Sequence, residues 1–290
     1  MTMKSFAVIG AGKLGTTLGH ALRLKGYDLR ALVCRAMKSA KESAAIAGGG
    51  KPLTDMIRAA RTADTIFLCV PDDAIGPAAE ALAAAPLEWR GKTVFHTSGL
   101  VSSGALAPLR RRGAHVASFH PVQAFPRKEA RPDLFRGITF GIEGDPEAVR
   151  TAAAVARRLG GHVVFLAEED KPLYHAACVI AAAGLTAVLD AAVTLLESRG
   201  LGEKEAGEIL LPLAERSLQN VKEVGAKAAL TGPFVRGDAG TIARHLEALR
   251  GKGRVLDLYR ALGLATVDLA KKRGVPAARI KPLKKLLEDK

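Results

Sequence analysis

The sequence predicts an α/β protein, a doubly wound sheet covered by helices, followed by an all-helical domain. Three observations predict it. A glycine turn joins a strand-like run to a helix-like run near the N-terminus. Strands and helices then alternate up to Ala167, and only helical runs follow from Asp170 onward.

The first element is the apolar run Phe6-Ala7-Val8-Ile9, which leads into Gly10-Ala11-Gly12-Lys13-Leu14-Gly15 and a helix from Leu14 to Lys25, ended by Gly26. This is the arrangement that holds a dinucleotide pyrophosphate. Gly10 allows the tight turn, Gly12 removes a side chain that would block the phosphates, and Gly15 lets helix and strand pack closely. The helix presents unpaired N–H groups and its positive dipole end to the anion.

A second strand, Asp28 to Val33, follows. NAD-binding folds place an acidic residue near its end to bond the ribose hydroxyls. Here the stretch is Val33-Cys34-Arg35-Ala36-Met37-Lys38, with no carboxylate at the tip. Arg35 can stack on adenine and pair with a 2′-phosphate, and Lys38 adds a positive charge. NADP is therefore expected over NAD, the alternative being that Arg35 is a solvated loop residue. Charge agrees with this. Of the net +14, the part up to Ala167 carries 23 basic against 13 acidic residues and the remainder 20 against 16. The excess lies with the glycine loop, as a phosphate-rich ligand requires. Nucleic acid is not expected, because aromatics are 4% and no nucleic-acid-binding signature appears.

Further strands are predicted at Thr65–Val70, Thr93–His96, His115–Phe119, Ile138–Ile142 and His162–Leu166, with a helix from Pro146 to Leu159 between the last two. The helical part reads as Leu173–Arg199, Glu203–Val224, Gly240–Leu249 and Val255–Arg273, then a short basic tail. Residues 1–167 thus form the dinucleotide-binding domain and 168–290 the helical one. At 290 residues and 48% hydrophobic the chain can bury a full core. Cys34, Cys69 and Cys178 fit neither a disulfide framework nor metal spacing. No segment resembles a signal peptide, so a cytoplasmic enzyme is expected. The stretch Ala176–Leu196 is apolar but alanine-rich and contains Asp190, so it reads as a long buried helix rather than a membrane span. Such a helix needs partners all round, and a subunit interface would supply some.

Ligands bind beyond the carboxyl ends of strands in open sheets. Three ends carry suggestive residues: Val70-Pro71-Asp72-Asp73; His96-Thr97-Ser98-Gly99, whose hydroxyls and glycine suit a nicotinamide ring; and Ser118-Phe119-His120-Pro121-Val122-Gln123. Lys171 and His175 lie four apart on one helix face. Either could protonate a group receiving hydride, or Lys171 could be solvated and His175 packed. Arg236 and Asp238 lie in the loop Leu230–Asp238, which either reaches the cleft or caps the next helix. Asn220, the sole asparagine, is a polar core residue or a ligand donor.

The combination of His96-Thr97-Ser98-Gly99, Ser118-Phe119-His120-Pro121, Lys171 with Tyr174-His175, Leu230-Thr231-Gly232-Pro233 with Arg236-Gly237-Asp238, and Leu258-Tyr259-Arg260-Ala261-Leu262-Gly263 resembles a family of Rossmann-type proteins. Their C-terminal half is domain of unknown function 2520. The chain is similar more broadly to the pyrroline-5-carboxylate reductase, ketopantoate reductase and 6-phosphogluconate dehydrogenase group, over essentially its whole length. The resemblance implies an NADP-binding Rossmann domain and a helical domain that often mediates dimers. The wider group tends to carry an asparagine facing the nicotinamide on the long helix, where this chain has Ala181-Ala182-Ala183-Gly184. Either Asn220 or His120 supplies that contact, or hydride chemistry is altered or absent. The expected function is an NADPH-dependent homodimeric reductase of a small C=O or C=N substrate held between the domains. Lys171, His175 and His120 are its candidate catalytic residues. Gly10, Ala11, Gly12, Lys13, Leu14, Gly15, Cys34, Arg35, Val70, Pro71, Thr97 and Ser98 would hold the cofactor, and Gly99, Asn220, Arg236 and Asp238 the substrate. The rival is a non-catalytic NADP sensor or scaffold.

Overall fold

The computed structural model describes residues 3–289. Eight strands, β1 (Ser5–Ile9), β2 (Asp28–Val33), β3 (Lys51–Leu53), β4 (Thr65–Leu68), β5 (Thr93–His96), β6 (His115–Pro121), β7 (Thr139–Gly144) and β8 (His162–Phe165), form one sheet. Its order is β3-β2-β1-β4-β5-β6-β7-β8, with every pair parallel except β6 and β7. The order reverses between β1 and β4, which creates the switch point where open α/β sheets bind ligands.

Period-two alternation explains how both faces of the sheet are covered. Phe6 and Val8 of β1 join the core on one side, while Ala7 and Ile9 join the core on the other. On the first side a row of rings crosses five strands: Phe6, Phe67, Phe95, Phe119 and Phe140, with neighbouring centroids 4.8–6.0 Å apart. The connecting helices are α1 (Lys13–Leu24), α2 (Met37–Ala47), α3 (Met56–Arg61), α4 (Asp72–Ala84), α5 (Ala107–Arg111) and α6 (Pro146–Arg158). The sole tryptophan, Trp89, is wholly buried in the second core, and its indole N–H has no hydrogen-bond partner among the described residues.

The three-residue β3 is an edge strand that sequence patterning does not reveal, because Pro52 breaks the run. Beyond β8 lie α7 (Lys171–Val179), a π turn (Ile180–Gly184) and α8 (Leu185–Glu197). The compact units divide inside that turn, between Ala182 and Ala183.

The second unit contains α8, α9 (Glu203–Ala229), α10 (Pro233–Arg236), α11 (Ala239–Ala248), α12 (Arg254–Arg273) and α13 (Ala277–Glu288). Ile242 of α11, Val267 and Ala270 of α12, and Ile280, Leu283 and Leu287 of α13 form its core. The expected basic tail is therefore a packed helix. Its apolar stripe at 280, 283 and 287 is buried, and the lysines between them face water. Gly263 permits the approach, since a Cβ there would lie 2.7 Å from Leu287 Cδ2.

The expected burial of the long apolar helix is corrected. The stretch Glu168–Glu197 is long and apolar enough to cross a membrane by length and composition, but no residue of its most apolar window is buried within the chain. Apolar side chains on α7, the π turn and α9 face outward, among them Leu173, Ile180, Ile209 and Leu213. The packing of the long apolar stretch is one-sided: Lys171 and Tyr174 reach β6, and α8 lies against α9, while the rest of its apolar surface stays open.

Candidate functional site

The glycine turn is built from backbone constraints. Gly10 has φ of +89°, and a Cβ there would collide with the Cys69 carbonyl. Gly15 sits where a Cβ would lie 2.5 Å from the Gly10 oxygen and 2.9 Å from Val8 Cγ1. A Cβ on Gly12 would meet nothing nearer than the Gly10 oxygen at 4.0 Å. These environments match three separate roles: left-handed turn, open ligand face and close helix packing.

Ala11 fixes the turn by pairing its N–H with Val33 O at 2.8 Å, while its own carbonyl accepts from Thr16 Oγ1, Ser43 Oγ and Cys34 Sγ. Cys34 thus pins the loop. Helix α1 begins with Lys13 and Leu14 behind Gly12, with no side-chain cap and no acidic residue in its first turn. Its leading N–H groups and dipole are left for an anion, so the loop fits a dinucleotide pyrophosphate. Val70 lies against the turn, its Cγ1 2.8 Å from where a Gly10 Cβ would stand, and Pro71 starts α4. At the end of β2, Arg35 and Lys38 are exposed, and neither has a carboxylate partner among the described residues. The first turn of α2 likewise has no acid and no side-chain cap.

The ends of β5 and β6 carry a second cluster, closed by α7. Lys171 is fully buried, and its Nζ donates to Ser118 Oγ at 2.7 Å and to the Ser98 carbonyl at 3.3 Å. Ser118 Oγ also donates to Ser98 O at 3.1 Å. Burial lowers the Lys171 pKa, opposed by the charges of Glu143 and Asp72. His96 accepts the Ser98 N–H at Nδ1 and faces the Ser102 carbonyl with Nε2, 3.1 Å away, which sets a neutral ring with its proton on Nε2. Burial, reinforced by the Lys171 charge, pushes the His96 pKa down to about 4.

His120 is pushed down to about 4 as well, by burial first and then by Lys171 and His175. Its Nδ1 is 2.8 Å from Tyr174 Oη. Burial raises the Tyr174 phenol further above its ordinary value, so it stays protonated. Two glycines make room for this group. A Cβ on Gly141 would lie 2.5 Å from Tyr174 Oη, and one on Gly99 would lie 2.7 Å from His175 Cδ2 and 2.9 Å from His120 Nε2. Thr97, with its N–H on Leu68 O, continues β5 beside β4.

Lys171, His175, His120, Ser98 and Gly99 are thus brought together within the first unit, near the switch-point edge. Asn220, Arg236 and Asp238 belong to the second unit. Asp238 caps α11, accepting from Thr241 N at 3.0 Å and from Thr241 Oγ1 at 2.7 Å, with Arg236 3.9 Å away. The capping alternative therefore describes Asp238. Sequence alone assigns no individual role to Tyr174, Ser118 or His96. For Tyr174 a signal existed: 171, 174, 175 and 178 share one helix face.

Residues 2–121 match the family model of a Rossmann-like domain, and residues 138–266 match Domain of unknown function (DUF2520). No curated protein matches the chain. A structure from Bacteroides fragilis, provisionally designated an NADP oxidoreductase, is 26% identical with a TM-score of 0.74, covering 90% of this chain and 96% of its own. Protein TM1727 of Thermotoga maritima is 23% identical with a TM-score of 0.70, covering 92% and 98%. A reductive aminase of Aspergillus terreus, in complex with NADPH and ethyl levulinate, is 19% identical with a TM-score of 0.63, covering 99% and 93%. The last two likenesses show the fold.

Proposed function

We propose that this chain, a Rossmann-like domain followed by a DUF2520 domain, is an NADPH-dependent oxidoreductase that delivers hydride to a small C=O or C=N substrate. One observation carries the reading: an anion-ready glycine turn at the end of β1 and a buried, proton-bearing Lys171–His120–Tyr174 cluster at the ends of β5 and β6 share one edge of one sheet, with only β4 between them. The designations of the similar structures as NADP oxidoreductase and reductive aminase support it.

The bound cofactor would supply hydride. Gly10, Ala11, Gly12 and the leading N–H groups of α1 would hold its pyrophosphate, Arg35 its 2′-phosphate, and Val70, Pro71, Thr97 and Ser98 its nicotinamide end. His120, neutral across the physiological range, would donate from Nε2 to the substrate oxygen or nitrogen and so polarise the double bond. Tyr174 fixes the opposite ring nitrogen. Lys171 is buried and committed to two serines, so its part is positional: it ties the end of β5 to β6 and adds to the burial that keeps both histidines uncharged.

A soluble, cytoplasmic homodimer belongs to the same proposal. The outward apolar residues of α7 and α9, such as Leu173 and Leu213 at 80% and 65% exposure, are suited to a second copy of the chain. Light scattering on the purified protein should give twice the chain mass.

A second reading, a non-catalytic NADP sensor, is favoured by the π turn Ile180–Gly184, which offers no amide side chain. Parallel titration with NADPH and NADH tests the cofactor assignment, and a tenfold preference for NADPH, about 1.4 kcal/mol, would support Arg35 as phosphate reader. Consumption of NADPH that depends on an added ketone or imine separates enzyme from sensor.

A further inference from the structure

The segment between β6 and β7 carries a basic group to the glycine-loop side of the sheet. Phe125 and Phe135 anchor it, stacked in a tilted pair with centroids 5.5 Å apart, and Phe135 is fully buried in the first core. From that anchor the chain crosses α1, where Glu129 N donates to Thr17 Oγ1 at 3.2 Å. It then reaches α2. Lys128 Nζ donates to Ser39 Oγ at 2.9 Å and to Glu42 Oε2 at 2.8 Å. The Lys128 side chain is only 17% exposed, whereas Glu42 is 58% exposed.

Ser39 is the third residue of α2, one position after Lys38 and four after Arg35. Lys128 therefore places a third cation on the first turn beyond β2, contributed from 86 to 89 residues away in sequence. The ion pair with an exposed glutamate contributes little to stability by itself. A lysine held this firmly beside a solvated acid can exchange that acid for a stronger anion, and a phosphate dianion is one.

We propose that Lys128 is a specificity-determining residue for the ribose 2′-phosphate, which it binds together with Arg35 and the Ser39 hydroxyl, Glu42 being its partner when no phosphate is bound. The inference rests on the NADPH reading above and extends it to a residue outside the glycine-loop region.

Titration of purified wild type, Lys128→Ala, Lys128→Arg and Glu42→Gln with NADPH and with NADH tests it. Lys128→Ala should weaken NADPH binding about tenfold or more while NADH binding stays within about twofold. Lys128→Arg should restore most of the preference. Glu42→Gln, which frees the ammonium, should leave NADPH binding unchanged or tighter. Equal weakening of both dinucleotides by Lys128→Ala would mean that Lys128 merely pins the crossing segment, and the proposal would fall. So would weaker NADPH binding in Glu42→Gln. A wild type that prefers NADPH, paired with a Lys128→Ala that keeps the full preference, removes Lys128 and leaves the NADPH reading standing. A wild type without any preference removes both.

Discussion

Replacing Lys171 with methionine separates the charge of this buried residue from its bulk. The wild-type ammonium donates at 2.7 Å to Ser118 Oγ and at 3.3 Å to Ser98 O. Hydrogen bonds from a charged group contribute about 1.5–3 kcal/mol each. Against them stands the cost of holding an ammonium out of water, which is also several kcal/mol. Methionine fills nearly the same volume. The Ser98 carbonyl still accepts from Ser118 Oγ at 3.1 Å, so that carbonyl is not orphaned and the serine hydroxyl keeps its partner as a donor. The opposing contributions nearly cancel, and Lys171→Met should unfold within about 2 kcal/mol of wild type. Lys171→Ala leaves a hole instead and should cost about 2–5 kcal/mol. In Lys171→Met the His96 and His120 pKa values should rise from about 4, because a neighbouring positive charge is gone, but stay below 6.5 because burial remains. Urea unfolding and NMR titration of the histidine ring protons measure both. Lys171→Met as unstable as Lys171→Ala, or histidines that do not move, would refute this account of the residue.

Other perturbations follow from the same geometry. Gly15→Ala would bring a methyl 2.5 Å from the Gly10 carbonyl, where backbone cannot yield, so it should cost about 1–3 kcal/mol in thermal unfolding and abolish dinucleotide binding. Gly141→Ala should push Tyr174 off His120, lowering turnover while NADPH affinity measured by fluorescence titration stays within about twofold, since the glycine turn is untouched. His96 takes up its proton only near pH 4, whereas in the unfolded chain it does so near 6.5. Stability from this group is therefore complete above pH 6.5 and lost as pH falls toward 4, by about 3 kcal/mol in unfolding experiments across that window.

The glycine turn was legible because each glycine answers a separate local demand that only glycine meets. The strands were legible because those buried on both faces are continuous apolar runs. Lys171 and His175 could be put on one face from their spacing alone. What surrounds Lys171 could not be read, because its partners Ser118 and Ser98 lie 53 and 73 residues away. Tyr174 was visible as a neighbour of His175, but its contact with His120 depends on space left by Gly141, on another strand. Asp238 shows the opposite case: an acid three residues before Thr241 is a helix cap, a local signal legible in sequence. For α7 and α9, periodicity gave the helices, but not that apolar residues such as Leu173, Ile209 and Leu213 stay exposed among the described residues.

Trp89 gives the molecule an internal reporter. The chain holds one tryptophan, wholly enclosed by the second core of the sheet unit, and the helical unit from Ala183 onward has none. Indole emission will therefore follow the melting of the sheet unit alone, while far-ultraviolet dichroism, dominated by helices, also registers the C-terminal unit. Coincident transitions would identify one cooperative block, and an earlier dichroism change would identify a helical unit that comes apart by itself.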